Sequence, residues 1–216
     1  MSSESVAAFG ASTHGGVADA SDPRTAAARE RILAATIEQL SENGYNGISL
    51  AHIAKRAGFT RSGLLHHFGS KEELLREALS HRLLTNAKAI HVLETANANE
   101  MLDTFLRMVE FTTWIRNATA AYEILAAESI SPDHPAHTWF AEQFAHARRN
   151  MAGALRRSIS NGEVRTDIDV DAIALQLAAI GDGLQLHWLH DESLDTVASA
   201  RYLVELIRAD ISITKP

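Results

Sequence analysis

Cysteine is absent from all 216 residues, which excludes a disulfide framework and any thiolate nucleophile or metal ligand. A chain without cysteine suits a reducing cytoplasm. Strand signals are also scarce, with no alternating apolar runs and no Asn-Gly hairpin between β-branched segments. No run is long and apolar enough for lipid. The most apolar segment, 170–189, is interrupted by Asp171, Gln176, Asp182, Gln185 and His187. It reads as a buried helix and not a membrane span, because an Asp in hydrocarbon is costly. Residues 1–23 contain no Lys or Arg and no apolar stretch, so they are not a signal peptide and read as a disordered tail. Missing too are a Gly-x-Ser-x-Gly elbow, a His-Glu-x-x-His zinc helix and a phosphate-cradling glycine loop, so no enzyme class is indicated.

Positive charge is in deficit overall, with a formal net charge of −7. Its distribution is uneven. Residues 22–71 carry seven Lys/Arg (Arg24, Arg29, Arg31, Lys55, Arg56, Arg61, Lys71) against four acids, leaving +3 there and −10 elsewhere. A small basic unit on an acidic body fits site-specific DNA docking, where counterions are released only at the footprint.

What is present is helical. Leu33, Ile37 and Leu40 share one face of a helix over about 24–43, and Gly44 and Gly47 bracket the loop after it. Leu50, Ile53, Ala54 and Ala57 follow the i, i+3, i+4, i+7 pattern of a short second helix with Ser49 as its cap. Gly58 stands where that helix must stop. Thr60 can cap a third helix to about 68, with Leu64 and Phe68 inward and Arg61, Ser62, Leu65 and His66 outward. Two short helices about a glycine turn, the second with a small polar and basic face, form a helix-turn-helix.

Ser70-Lys71-Glu72-Glu73 is a capping box opening a fourth helix to about 95, and Asn97 to Glu100 is a break. Further helices are expected at about 100–116, 119–129, 135–160, 169–189 and 193–211. Ser131-Pro132-Asp133-His134-Pro135 separates two of them, since two prolines cannot sit within one helix. The last helix is apolar on two faces, Val197, Val204, Ile207 and Ile211 on one and Leu203 and Leu206 on its neighbour. Either a partner subunit covers the wider face or the monomer buries all of it.

Gly44-Tyr45, Ile53-Ala54, Ala57-Gly58-Phe59-Thr60, Leu64, His67-Phe68 and Ser70-Lys71-Glu72-x-Leu74-Leu75, in that order and spacing, resemble the TetR family of bacterial transcriptional regulators. Gly181-Asp182-Gly183-Leu184 and the Ser-Pro-Asp-His-Pro-Ala-His stretch resemble C-terminal domains of the choline-responsive repressor type. The resemblance implies an all-α protein with a tail (1–23), a three-helix DNA-binding domain (24–70) and a larger helical ligand-binding and dimerisation domain (71–216). It implies a cytoplasmic homodimer joined through its last two helices, with no cofactor. Such a dimer is a repressor that a small-molecule effector releases from a palindromic operator by favouring another spacing of its heads.

Carried onto this chain, Ser49 and Thr60 meet phosphate at helix N-termini. Arg61 reads a base, since its fork matches guanine O6 and N7. Ser62 and Gly63 allow close approach, His66 and His67 touch phosphate or base edges, and Lys71 anchors phosphate. Leu65 departs from the tyrosine many members have there and cannot donate to phosphate. His66 and His67 diverge by about 100° on a helix and make a poor metal pair. Pro135 separates His134 from His137, which favours helix capping over metal. Of the aromatic residues on the later helices, Trp114, Tyr122 and Phe144, with Asp182, are the candidates for the effector pocket. Asp182 either faces that pocket or pairs across a subunit interface.

Overall fold

The computed structural model describes residues 22–80 and 94–213. Among these there are helices and connecting turns and no strand. The tail expected over 1–23 lies almost wholly outside the described residues, as does the stretch 81–93 of the expected fourth helix; residues 94–95 are helical.

Helix α1 spans Pro23–Gly47. Asp22 accepts the Arg24 amide at 2.9 Å and Pro23 opens the first turn, where its missing N–H is not needed. Gly44, at φ 63° and ψ −178°, breaks the helix close to the predicted end, and helical turns resume to Gly47. Helix α2 (Leu50–Ala57) and α3 (Arg61–His67) follow. Residues 71–80 are helical and form the described part of α4. The body contains α5 (Ala98–Trp114), α6 (Arg116–Glu128), α7 (His137–Ser160), α8 (Val170–His190) and α9 (Thr196–Ile211). The break expected at 97–100 is a capping box: Asn97 accepts the Glu100 amide at 3.0 Å and Glu100 accepts the Asn97 amide at 2.9 Å.

Two apolar clusters hold these helices. The first joins Ile32, Leu40, Ile53 and Leu64 of the first three helices, and Phe68 at the C-cap of α3, to Leu74 and Leu75 of α4, and continues into Leu125, Trp139 and Phe140 of α6 and α7. The second gathers Met101, Leu102 and Phe105 of α5 with Leu155, Leu177 and Val204 of α7, α8 and α9. Apolar packing therefore continues across the boundary expected at 70/71, because α1 lies along α6. Gly181 lets α8 approach α5 closely: a Cβ there would stand 3.1 Å from the Phe105 ring.

On α9, Val204, Ile207 and Ile211 are buried as one face, whereas Leu206 is 51 % exposed and Tyr202 70 %. Leu175, Ile180 and Leu186 on α8 are exposed as well. Among the described residues, the outer part of the apolar face of the last two helices is thus left uncovered.

Candidate nucleic-acid interface

Each end of the short helices is satisfied locally. The Ser49 hydroxyl accepts the His52 amide at 3.2 Å, and the Thr60 hydroxyl accepts the Gly63 amide at 3.0 Å. Gly58 takes the left-handed conformation at φ 77°, and the Phe59 amide returns to the Ala54 carbonyl at 2.8 Å. Leu64 and Phe68 are both 0 % exposed and anchor α3 from beneath. Arg61, Ser62 and His66 are exposed on its other side, with Gly63 and Leu65 partly so.

The basic residues divide in a way that charge counting does not show. Arg29 donates to the His67 carbonyl, lies 4.2 Å from the Phe68 ring centroid and pairs with Glu77 at 3.2 Å. Arg31 donates to the Ala57 carbonyl at 2.7 Å and lies over the Phe59 ring. Both arginines reach from α1 to the C-terminal carbonyls of α3 and α2, where the helix dipole favours a cation. Arg56 pairs with Glu38 and Glu42, each at 2.8 Å. That leaves Arg24, Lys55 and Arg61 as exposed cations whose side chains are not engaged by other described residues.

Lys71, expected to anchor phosphate, is turned inward. Its amine donates to the Tyr45 carbonyl at 2.7 Å and sits 4.2 Å from the Tyr45 ring centroid. Burial lowers its pKa, opposed by the charges of Glu72 and Glu128. His67, expected to touch DNA with His66, is partly buried, its ring edge-on to Phe59 at 5.8 Å. Burial lowers its pKa, and the charges of His66 and Arg29 add to this. His67 is thus the partly buried member of the pair and His66 the exposed one.

Sequence reasoning did not find the contact between head and body. The Tyr45 amide donates to the Glu128 carboxylate at 2.7 Å, and the Tyr45 phenol donates to Glu72 at 3.1 Å. Burial and the Glu72 carboxylate push the phenol up to about 12. The His134 ring stands edge-on to Tyr45, 5.1 Å between centroids. Glycine followed by a large aromatic at a helix end was the available signal; its partner lies 83 residues on. The capping expected around the prolines is not a side-chain cap of α7, whose N-cap Ala136 has none; the two histidines bond the backbone of the turn instead. The Ala136 amide donates to His134 Nδ1 at 3.2 Å, and His137 Nδ1 lies 2.7 Å from the Ser129 carbonyl.

His134 gives a pH prediction. Burial lowers its pKa below 6.5, only partly opposed by Glu128. The folded chain then holds a neutral ring while the unfolded chain takes up a proton from about pH 6.5 downward. The stabilisation is complete above that pH and is lost as pH falls below it. Melting temperature is expected to fall between pH 7 and 5.5, and to fall less in His134→Gln, as followed by circular dichroism.

The four effector-pocket candidates are not brought together. Trp114 is 75 % exposed at the end of α5, away from any enclosed wall. Tyr122 and Phe144 both pack on Phe140, at 5.1 and 5.9 Å between centroids. Asp182 is partly exposed on α8. An apolar void of about 10 Å³ between α1, α4 and α6 has Tyr122 in its wall, with none of the other three. An open groove of about 430 Å³ between α7 and α8 is lined by Arg148, Arg149, Arg156 and Asp171 and by none of the four.

A short exposed helix seated on a buried Leu-Phe pair, behind a glycine turn and a supporting helix, defines a helix-turn-helix DNA-binding protein. Residues 32–78 match the family model for bacterial regulatory proteins of the tetR family, and residues 126–210 match that for the C-terminal region of BetI-type transcriptional repressors. The chain belongs to the TetR family of transcriptional regulators. It is 24 % identical over 181 residues to the HTH-type transcriptional repressor AcnR of Corynebacterium efficiens, covering 82 % of this chain and 90 % of that one. It is 28 % identical over 173 residues to the HTH-type transcriptional regulator BetI of Pseudomonas paraeruginosa, covering 78 % and 85 %. Its fold is similar to that of a TetR regulator from Chloroflexus aurantiacus (TM-score 0.76, 18 % identity, 88 % of this chain and 98 % of that one). A transcriptional regulator from Saccharomonospora viridis, solved in complex with choline, is similar at TM-score 0.67 and 24 % identity, covering 85 % and 96 %. No described helix is long and apolar enough to cross a membrane.

Proposed function

We propose that the chain acts as a homodimeric repressor of a palindromic operator, released when a small molecule binds the body formed by residues 71–216. The observation that carries this reading is the outward face of α3: Arg61, Ser62 and His66 exposed together over a fully buried Leu64 and Phe68. Arg61 addresses a base edge, with Ser62 and Gly63 small enough to let the groove close on α3. The amides capped by Ser49 and Thr60 meet phosphate at the starts of α2 and α3. Lys71 and His67 act by holding the head in shape. The exposed apolar residues of α8 and α9 support a second copy as their cover. Two heads must then sit about one DNA turn apart, ~34 Å, to enter successive major grooves.

The body is a ligand domain by its likeness to BetI-type repressors. Tyr122 and Phe144, packed around Phe140, and Asp182 on α8 remain the effector contacts to test. Titrating binding to the DNA upstream of the chain's own gene against salt checks the operator reading. A regulator shows specific affinity that falls steeply with salt. Lys55→Ala is expected to reduce the slope of log K against log salt by roughly one unit per head, with sequence preference unchanged. A monomeric mass at micromolar concentration would overturn the two-headed arrangement.

A further inference from the structure

We propose that Glu128 is a positioning residue for operator binding: its carboxylate, on the last residue of α6, holds the Gly44-Tyr45 backbone and sets the angle at which the reading head leaves the body. This rests on the two-headed reading above.

The Gly44 break leaves the next amide without its place in the helical ladder, and Tyr45 is only 7 % exposed. A buried amide needs an acceptor. Glu128 supplies a charged one at 2.7 Å, and such bonds are shorter and stronger than neutral ones. The same carboxylate occupies the space that glycine leaves open. A Cβ on residue 44 would lie 2.4 Å from Glu128 Oε1. Gly44 is thus required for its positive φ, and its missing side chain leaves the room that the Glu128 carboxylate fills.

The surroundings make this a joint and not an isolated bond. On the α4 side, Tyr45 is held by Lys71 at its carbonyl and by Glu72 at its phenol. On the body side, His134 packs on the Tyr45 ring and its Nε2 stands 3.9 Å from Glu128. Because His134 Nδ1 accepts the Ala136 amide, the neutral ring carries its proton on Nε2, facing the carboxylate. Farther along α1 and α6, Ile37 and Leu40 face Ala121 and Leu125 across the small void. Apolar contact is non-directional and tolerates sliding. A directional bond at the end of α6 fixes the register, so a movement of α6 carries Tyr45, and with it α2 and α3.

The absence of cysteine permits a single spin label. One is placed by Ala51→Cys on the exposed face of α2, and in a separate sample by Ser160→Cys at the end of α7. Pulsed electron paramagnetic resonance on the full chain then reads head-to-head and body-to-body distances in the dimer. Glu128→Ala is expected to broaden the Ala51 distribution and leave the Ser160 distribution unchanged. Exchange of the Tyr45 amide should rise on the order of tenfold. Affinity of the unlabelled variant for its own upstream DNA should fall on the order of tenfold, since binding must then order the heads. Glu128→Gln, which keeps an oxygen acceptor without the charge, should fall between parent and Ala in all three. If Glu128→Ala does not fold, the same three readings on Glu128→Gln decide. An unchanged Ala51 distribution in a folded variant overturns the proposal. Absence of a dipolar signal at both labels in the parent overturns the two-headed reading instead, and with it the basis of the joint.

Discussion

Phe68→Ala is expected to cost about 3–5 kcal/mol of folding stability, the range for emptying a fully buried aromatic site. Phe68 is 0 % exposed and belongs to the cluster that joins α1, α3, α4 and α6. Its loss removes the floor beneath α3 and also the ring on which the Arg29 guanidinium rests. Arg29 in turn donates to the His67 carbonyl at the end of α3, so that end loses its cation as well. A drop of this size corresponds to roughly 6–20 °C in melting temperature for a chain this long. Thermal denaturation followed by circular dichroism measures it. A change below about 3 °C would mean that α3 is not seated on this cluster. Operator binding should be lost with the fold, and should recover in part when the assay is cooled below the new transition.

Arg61→Ala is expected to do the opposite. Arg61 is exposed and makes no contact that the fold uses, so melting should stay within about 0.5 kcal/mol of the parent. Operator affinity should fall by about 1–3 kcal/mol per head, with preference relaxed at the base pair that Arg61 reads. Binding titrations on the upstream DNA and on single-base variants of it measure both. Arg61→Lys should not rescue, because an ammonium cannot form the paired bonds of a guanidinium to guanine. Unchanged affinity in Arg61→Ala would remove α3 from the reading role. The two substitutions together separate the reading face of α3 from the seat beneath its C-terminal end.

Much of the head was legible because its cues are local. Ser49, Gly58 and Thr60 sit where caps must be, and their bonds close within five residues. The inward pair Leu64 and Phe68 follows from one turn of helix. In the body, the approximate helix bounds and the break at Asn97 could be read, since periodicity and punctuation repeat along the chain, whereas the capping box at that break appeared only in the structure. The roles of Lys71, Arg29 and Arg31 could not. Each is a basic residue near a DNA-binding motif, and only the fold shows its charge turned onto a carbonyl and an aromatic ring. Trp114 illustrates the same limit: an aromatic at helical spacing reads as a wall, yet it lies at a helix end facing outward.

The sequence by itself determined most of the described helices, the caps of the head and the family. These depend on contacts between residues a few positions apart, where spacing and residue type decide the geometry. Only the tertiary structure decided which charges remain available to a phosphate, where the aromatic residues gather, and how head meets body. Those outcomes depend on which helix ends are brought face to face, as Tyr45 and Glu128 are across 83 residues, and no local pattern records a meeting at that range.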